Sequence, residues 1–253
     1  MQDFKKLKEI LSALRNPQTG CPWDRVQTFA SIAPNTVEEA YEVLEAIEDN
    51  DYEHIKEEIG DLLLHVLFYS DMAKEAGKFD FDDVVDALCS KLISRHPHVF
   101  GDAKANDAAE ALASWEGVKA KERTTKKKQM GALEGIAVTL PSSTRAFKIQ
   151  KRAARVGFDV DGKKALSLLK SKIKALQSAS PKDEEDALGS MLFSAINLAR
   201  KMNINPDTAL RKYNRKFEAR FANMEKIAAL KGKSIKELSK SELSRVWKEA
   251  KSF

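Results

Sequence analysis

The chain has 253 residues, enough for one large domain or two small ones. Its 43% apolar and 32% charged residues support a packed core, and 11 Gly with 7 Pro supply too few turns for a sandwich or barrel. The net charge of +5 conceals an asymmetry: residues 1–101 carry 20 acidic and 10 basic side chains, residues 102–253 carry 18 and 33. A basic half is compatible with nucleic acid, but no recognition-helix, zinc-finger or RNA-binding signature accompanies it, so a solvated basic face is the better reading.

In chain order, the spacing of Phe4, Leu7, Leu11 and Leu14 predicts an amphipathic helix over 2–15. Residues 16–24, with two prolines and a glycine, read as a loop. Asn35 or Thr36 is expected to cap a helix running to about Glu48, with Glu38 and Glu39 in its first turn. A turn at Asp49-Asn50-Asp51 leads to helices over 52–77 and 82–95, the second stopped by His96-Pro97-His98. The pair His96 and His98 flanks Pro97 and reads as capping rather than metal binding. Residues 107–130 predict another helix that ends in the polar stretch Lys121–Gln129. Helical pattern resumes at 143–156, breaks at Gly157, and returns over 163–177, 183–202, 206–229 and 240–251. No segment alternates with a strand period, so the expected fold class is all-α.

Cys21 and Cys89 form no CxxC motif, which argues against a disulfide framework and suits a reducing compartment. The first ten residues contain no apolar leader. The longest apolar run, 62–69, is interrupted by His65 and falls far short of the ~20 residues of a membrane span. A cytoplasmic location is expected.

A weak internal repeat is present. Glu58 to Leu64 lies over Ala187 to Phe193, and Lys91-Leu92 with Arg95-His96 lies over Lys216-Phe217 with Arg220-Phe221. Two copies of one helical unit account for the length.

The informative residues are acids. Glu38, Glu39, Glu42 and Glu45 share a face of one predicted helix; Glu58 and Asp61 form an i,i+3 pair on the next. A short turn between these helices makes them pack antiparallel, so four acids can converge. Four carboxylates without a cation repel, and a hard divalent ion relieves the repulsion. The competing reading is a solvated acidic face. It suits Glu38 and Glu45 better than Asp61, which directly precedes Leu62-Leu63-Leu64. A di-iron bundle would use Glu-x-x-His pairs, and none occurs here.

Glu38-Glu39-x-x-Glu42 followed by Glu58-x-x-Asp61 resembles the EExxE…ExxD motif of the all-α nucleoside triphosphate pyrophosphohydrolases. Further motifs make the likeness one to the MazG type: Gly20-Cys21-Pro22-Trp23-Asp24 with Gln27-Thr28, Arg95-His96-Pro97-His98-Val99-Phe100-Gly101, Trp115-Glu116, Lys119, and Lys148-Ile149-Gln150 with Val156-Gly157-Phe158-Asp159. The resemblance spans roughly residues 1–225. It implies tandem MazG-like helical bundles: a domain over 1–120 with an intact metal site, a basic linker over 121–142, and a domain over 143–253 with a degenerate one. It implies hydrolysis of a nucleoside triphosphate to the monophosphate and pyrophosphate. Glu39, Glu42, Glu58 and Asp61 would ligate Mg²⁺, Glu38 would position or deprotonate water, and Arg95 and Lys119 would hold triphosphate oxygens. Trp23 would stack on a base or simply pack in its loop. A homodimer is implied as well.

The sequence departs from the family pattern. In the second repeat the four metal positions are occupied by Lys172, Ala175, Ala187 and Ser190, while Arg200, Lys216 and Arg220 remain. That half is expected either to bind an anion without hydrolysing it or to serve as scaffold. In the first half Phe29, Asn35 and Ser94 replace residues more usual in the family, which bears on substrate choice and rate. The leading expectation is catalysis by the N-terminal half alone. The alternative is a catalytically weak nucleotide-sensing or partner-binding regulator.

Overall fold

The computed structural model of the chain describes residues 4–126 and 131–251. The chain divides into two compact units, residues 1–126 and 127–253. Among the described residues there are twelve α-helices, one short 3₁₀ helix and no strand, so the fold is all-α.

The first unit holds α1 (Phe4–Leu14), α2 (Pro22–Val26), α3 (Phe29–Asp49), α4 (Tyr52–Glu75), α5 (Phe81–Arg95), α6 (Pro97–Phe100) and α7 (Ala108–Lys126). Helix α4 is central: α1, α3 and α5 all pack on it, and α7 packs on α5. The core is Leu11 of α1, Ile32 of α3, and Leu67, Phe68 and Met72 of α4, all nearly inaccessible. Arg15 seals one side. Its guanidinium lies over the Phe68 ring at 5.1 Å and forks onto Glu75, and it donates to the Asp24 carbonyl at 2.6 Å.

The connection between α1 and α2 doubles back tightly. The Cys21 N–H donates to the Leu14 carbonyl, and a Cβ at Gly20 would stand 2.3 Å from that same oxygen, so only glycine fits there. The expected loop over 16–24 is shorter than anticipated, because Pro22 opens α2 from the first helical position, which needs no N–H.

Helix α3 begins earlier than the sequence suggests. Thr28 caps it and exchanges hydrogen bonds with Ser31, so Pro34 lies inside the helix rather than before it. Pro34 is the sixth residue of α3 and forfeits one intrahelical bond, the N–H it lacks toward the Ala30 carbonyl, and the Thr28–Ser31 capping box helps offset that loss. At its far end Asn50 adopts φ 57°, a left-handed conformation that asparagine tolerates, and Asp51 caps α4 by accepting from the N–H groups of Glu53 and His54. This two-residue connection turns α4 back along α3, the most extensive helix pairing in the unit together with the core.

Helix α7 runs through Lys126, so the first six residues of the stretch expected to link the halves are helical. Residues 127–130 of that stretch lie outside the described residues.

The second unit holds α8 (Ser142–Arg155), α9 (Gly162–Gln177), α10 (Glu184–Lys201), α11 (Pro206–Leu230) and α12 (Lys240–Glu249), with the 3₁₀ turn Ile235–Glu237 before α12. Helix α9 packs along α10, as α3 does along α4, and α8 lies on α10 and α11. Its core gathers Met224, Ile227 and Ala228 of α11 with Leu238, Val246 and Ala250. Asp159 accepts from Arg200 and Lys201 at the end of α10, and these two cations hold its carboxyl well below the usual carboxylate range. Arg200 is thereby engaged in the fold.

Candidate active site

Three of the predicted acids meet. Glu39 projects from α3, and Glu58 and Asp61 from successive turns of α4; one carboxylate oxygen of each lies within 4.8 Å of the others. Among the described residues this is the single group of three or more His, Cys, Asp or Glu side chains close enough to share an ion. Burial pushes Glu39 up to about 7, helped by a hydrogen bond with Glu42 and by the negative charges of Glu42, Asp61 and Glu58. Glu42 thus joins the group through Glu39, one turn away on the same face. Glu38 is exposed on α3 and is not brought into the three-carboxylate set.

The three acids differ in environment. Glu58 is buried, Glu39 half-buried and Asp61 exposed. Glu58 Oε1 lies 2.9 Å from His54 Nε2, one helical turn earlier on α4. This histidine was missed by a reading that looked for His three residues after Glu; the signal was a His four residues before it. One turn past Asp61, His65 is buried with Nδ1 unpartnered, and burial pushes its imidazole below the usual range despite the charge of Asp61.

The donor set suits a hard divalent cation. Every group offered is a carboxylate oxygen, and burial together with the neighbouring acids displaces Glu39 upward, so the set favours a bound proton or cation.

The predicted cations gather around an aromatic ring. Lys119 Nζ lies 4.4 Å and the Arg95 guanidinium 5.6 Å from the centre of Trp115 on α7. Arg95 is also held by both oxygens of Glu122, which accepts a further hydrogen bond from Ser94 Oγ. Trp23, on α2, has a largely open ring, and its carbonyl accepts from Gln27 Nε2. Phe29 stacks on Tyr69 at 5.6 Å, and the Tyr69 hydroxyl pairs with Thr36. His96 Nδ1 lies 2.7 Å from the Leu92 carbonyl, which closes the end of α5. Both cysteines are free thiols.

In the second unit Lys172 and Ala175 lie on α9 and Ala187 and Ser190 on α10, so the repeat's helix pair carries no acids at the aligned positions. A different feature survives. Arg220 of α11 lies over the ring of Trp247 at 3.9 Å and donates twice to the Trp247 carbonyl, and Phe217 meets the same ring at 5.1 Å. These residues line a cavity of 570 Å³ with Tyr213, Lys216, Asn223 and Lys251. Arg95 over Trp115 and Arg220 over Trp247 make the same arginine–tryptophan pairing in the two units.

Similarity to known proteins runs through nearly the whole chain. The profile of the MazG nucleotide pyrophosphohydrolase domain matches residues 27–100, the stretch that contains α3, α4 and α5. The chain is 43% identical over 258 aligned residues to the nucleoside triphosphate pyrophosphohydrolase of Escherichia coli strain K12, covering 99% of this chain and 98% of that protein. It is 40% identical over 250 residues to the nucleoside triphosphate pyrophosphohydrolase/pyrophosphatase MazG of Thermotoga maritima, covering 98% and 95%. A nucleoside triphosphate pyrophosphohydrolase of Mycobacterium tuberculosis is 29% identical over 201 residues, covering 79% of this chain and 58% of its own length. An all-α fold with an acid cluster between paired helices defines the class, and near-full-length identity gives the family: the chain belongs to the MazG-type nucleoside triphosphate pyrophosphohydrolases.

Proposed function

We propose that this chain hydrolyses nucleoside triphosphates to monophosphates and pyrophosphate in its first unit, with Mg²⁺ held by Glu39, Glu42, Glu58 and Asp61. The observation that carries the reading is the convergence of three carboxylates within 4.8 Å, with Glu39 displaced to about 7. When bound, Mg²⁺ supplies positive charge to the triphosphate oxygens and to the charge that develops during attack. The chain's own residues do the rest. The acids of α3 and α4 fix where that charge sits. Glu38, open to solvent on α3, orients or deprotonates the water that adds across the bond between the α- and β-phosphates. The water oxygen stays on one product, and the displaced oxygen leaves on the other.

Arg95 and Lys119 hold triphosphate oxygens in this reading. Arg95 does so by exchanging Glu122 for phosphate, since both offer paired oxygens to the same guanidinium. Trp23, with its ring open, stacks on the base. Loss of pyrophosphate release in Asp61→Asn tests the assignment of catalysis to the first unit.

A homodimer is part of the same proposal. Ile59, Leu64 and Val66 of α4 and Leu88, Leu92 and Ile93 of α5 are exposed, an apolar surface that a second copy would cover. A cytoplasmic location accords with the two free thiols. Among the described residues no helix is long and apolar enough to cross a membrane.

A specific observation favours a second reading for the second unit. Its cavity combines aromatic faces with Lys216, Arg220 and Lys251 but lacks an acid cluster. That composition suits a nucleotide bound by stacking and by its phosphates, without a metal and without hydrolysis. The second unit would then sense nucleotide rather than merely support the first.

A further inference from the structure

Glu58 is the most enclosed of the clustered acids, at 8% exposure. A buried carboxylate beside two others is pushed by their charge to turn away from them. Something must hold it in place, and α4 supplies the holder. His54 Nε2 lies 2.9 Å from Glu58 Oε1, close enough for the ring to restrain that carboxylate. The His54 backbone is pinned in turn, because its N–H donates to the capping carboxylate of Asp51 at 3.1 Å. The turn that reverses the chain between α3 and α4 therefore sets where the imidazole stands.

An i,i+4 pair on an open helix surface contributes little, because both side chains lose freedom for a weak, solvated contact. This pair is different in kind. The His54 side chain is partly exposed, but its partner is buried in the acid cluster. An imidazole held against one oxygen restricts how the carboxyl can turn and leaves the other oxygen available to a cation. A group that orients a ligating carboxylate in this way commonly governs metal affinity as strongly as a ligand does.

We propose that His54 is a positioning residue: its close contact with Glu58 presets the Glu39–Glu58–Asp61 cluster for a divalent cation and raises the affinity of the site. The proposal rests on reading that cluster as a metal site. His54 itself touches neither water nor substrate in this account.

The test uses the full chain as wild type, His54→Ala and His54→Gln. Mn²⁺ binding is followed by electron paramagnetic resonance without nucleotide, alongside the Mg²⁺ concentration for half-maximal pyrophosphate release. Glutamine keeps an N–H donor without the ring. His54→Ala is expected to weaken Mn²⁺ binding about 10–100-fold, the usual scale for such partners, and to raise the half-maximal Mg²⁺ concentration in step. Its rate at saturating Mg²⁺ stays near wild type, and His54→Gln recovers most of the lost affinity. A lesser thermal stability common to both variants would not reproduce that recovery. Wild-type Mn²⁺ affinity in His54→Ala overturns the proposal, as does equal weakening in His54→Gln. Absence of Mn²⁺ binding in the wild type itself overturns the metal reading and the proposal with it, so the two failures are told apart.

Discussion

Glu39 of α3 and Asp61 of α4 come from different helices, yet they present carboxylate oxygens within 4.8 Å of each other. Burial, the hydrogen bond with Glu42 and the surrounding negative charge push Glu39 up to about 7. Its ordinary value is 4.5, so between 4.5 and about 7 the folded chain binds more protons here than the unfolded chain does. Stability from this site is therefore highest at the acid end and falls as pH rises through that window. In EDTA, the thermal midpoint of the wild type should fall more steeply over this range than that of Glu39→Gln. Mg²⁺ replaces the proton as counter-charge and should flatten the difference. Parallel curves for the two proteins in EDTA would contradict the crowding.

The acids of the first unit and the substituted positions of the second should respond differently. Glu42→Gln and Asp61→Asn are expected to lower the maximal rate of pyrophosphate release at least about 100-fold, the scale for losing a group that organises transition-state charge. Lys172→Ala should leave the rate within about 2-fold, the scale of an ordinary substitution, because α9 of the second unit carries no acid at the aligned positions. Turnover retained in Asp61→Asn would move catalysis away from α4.

Much of this site was legible because an α-helix repeats every 3.6 residues. Glu39, Glu42, Glu58 and Asp61 fall at i,i+3 spacing, and the Asn50-Asp51 connection is short enough to force antiparallel packing. Where helices begin was less legible. Asn35 or Thr36 read as the cap of this helix, with Glu38 and Glu39 in its first turn, but the Thr28–Ser31 capping box places the start at Phe29. Side-chain partners across the fold were not legible at all. Arg95 and Lys119 were readable as cations, whereas their shared ring, Trp115, and the claim of Glu122 on Arg95 depend on how α5 packs on α7. Trp247 was invisible for the same reason: it lies beyond the residues that carry the repeat and reaches Arg220 only through the packing of α12 on α11.

The cavity lined by Arg220 and Trp247 in the second unit yields its own prediction. Nucleoside triphosphate should bind the chain in EDTA, where the first site lacks its counter-ion, and quench tryptophan fluorescence. Lys216→Ala should weaken that binding roughly 10-fold, equivalent to about 1.4 kcal/mol for one charged contact, with little change in Mg²⁺-dependent turnover. A cavity that serves only as scaffold would give no quenching in EDTA.

Arg15 is the other residue whose removal should be costly. Its side chain is 5% exposed, forked onto Glu75, bonded to the Asp24 carbonyl and laid over Phe68. Because Glu75 is half-exposed, its own charge can return to water, which keeps the cost of Arg15→Ala to about 2–3 kcal/mol. Arg15→Lys should recover only part of this, since an ammonium cannot reproduce the fork. Chemical denaturation reports both.

Pyrophosphate release by the first unit should require both Mg²⁺ and Asp61. This is tested most directly by assaying wild type and Asp61→Asn with a panel of ribo- and deoxyribonucleoside triphosphates, each in Mg²⁺ and in EDTA. Monophosphate and pyrophosphate are expected in equal amounts from the wild type in Mg²⁺, and neither product in EDTA or from Asp61→Asn. Release that persists in EDTA, or that Asp61→Asn retains, would contradict this expectation.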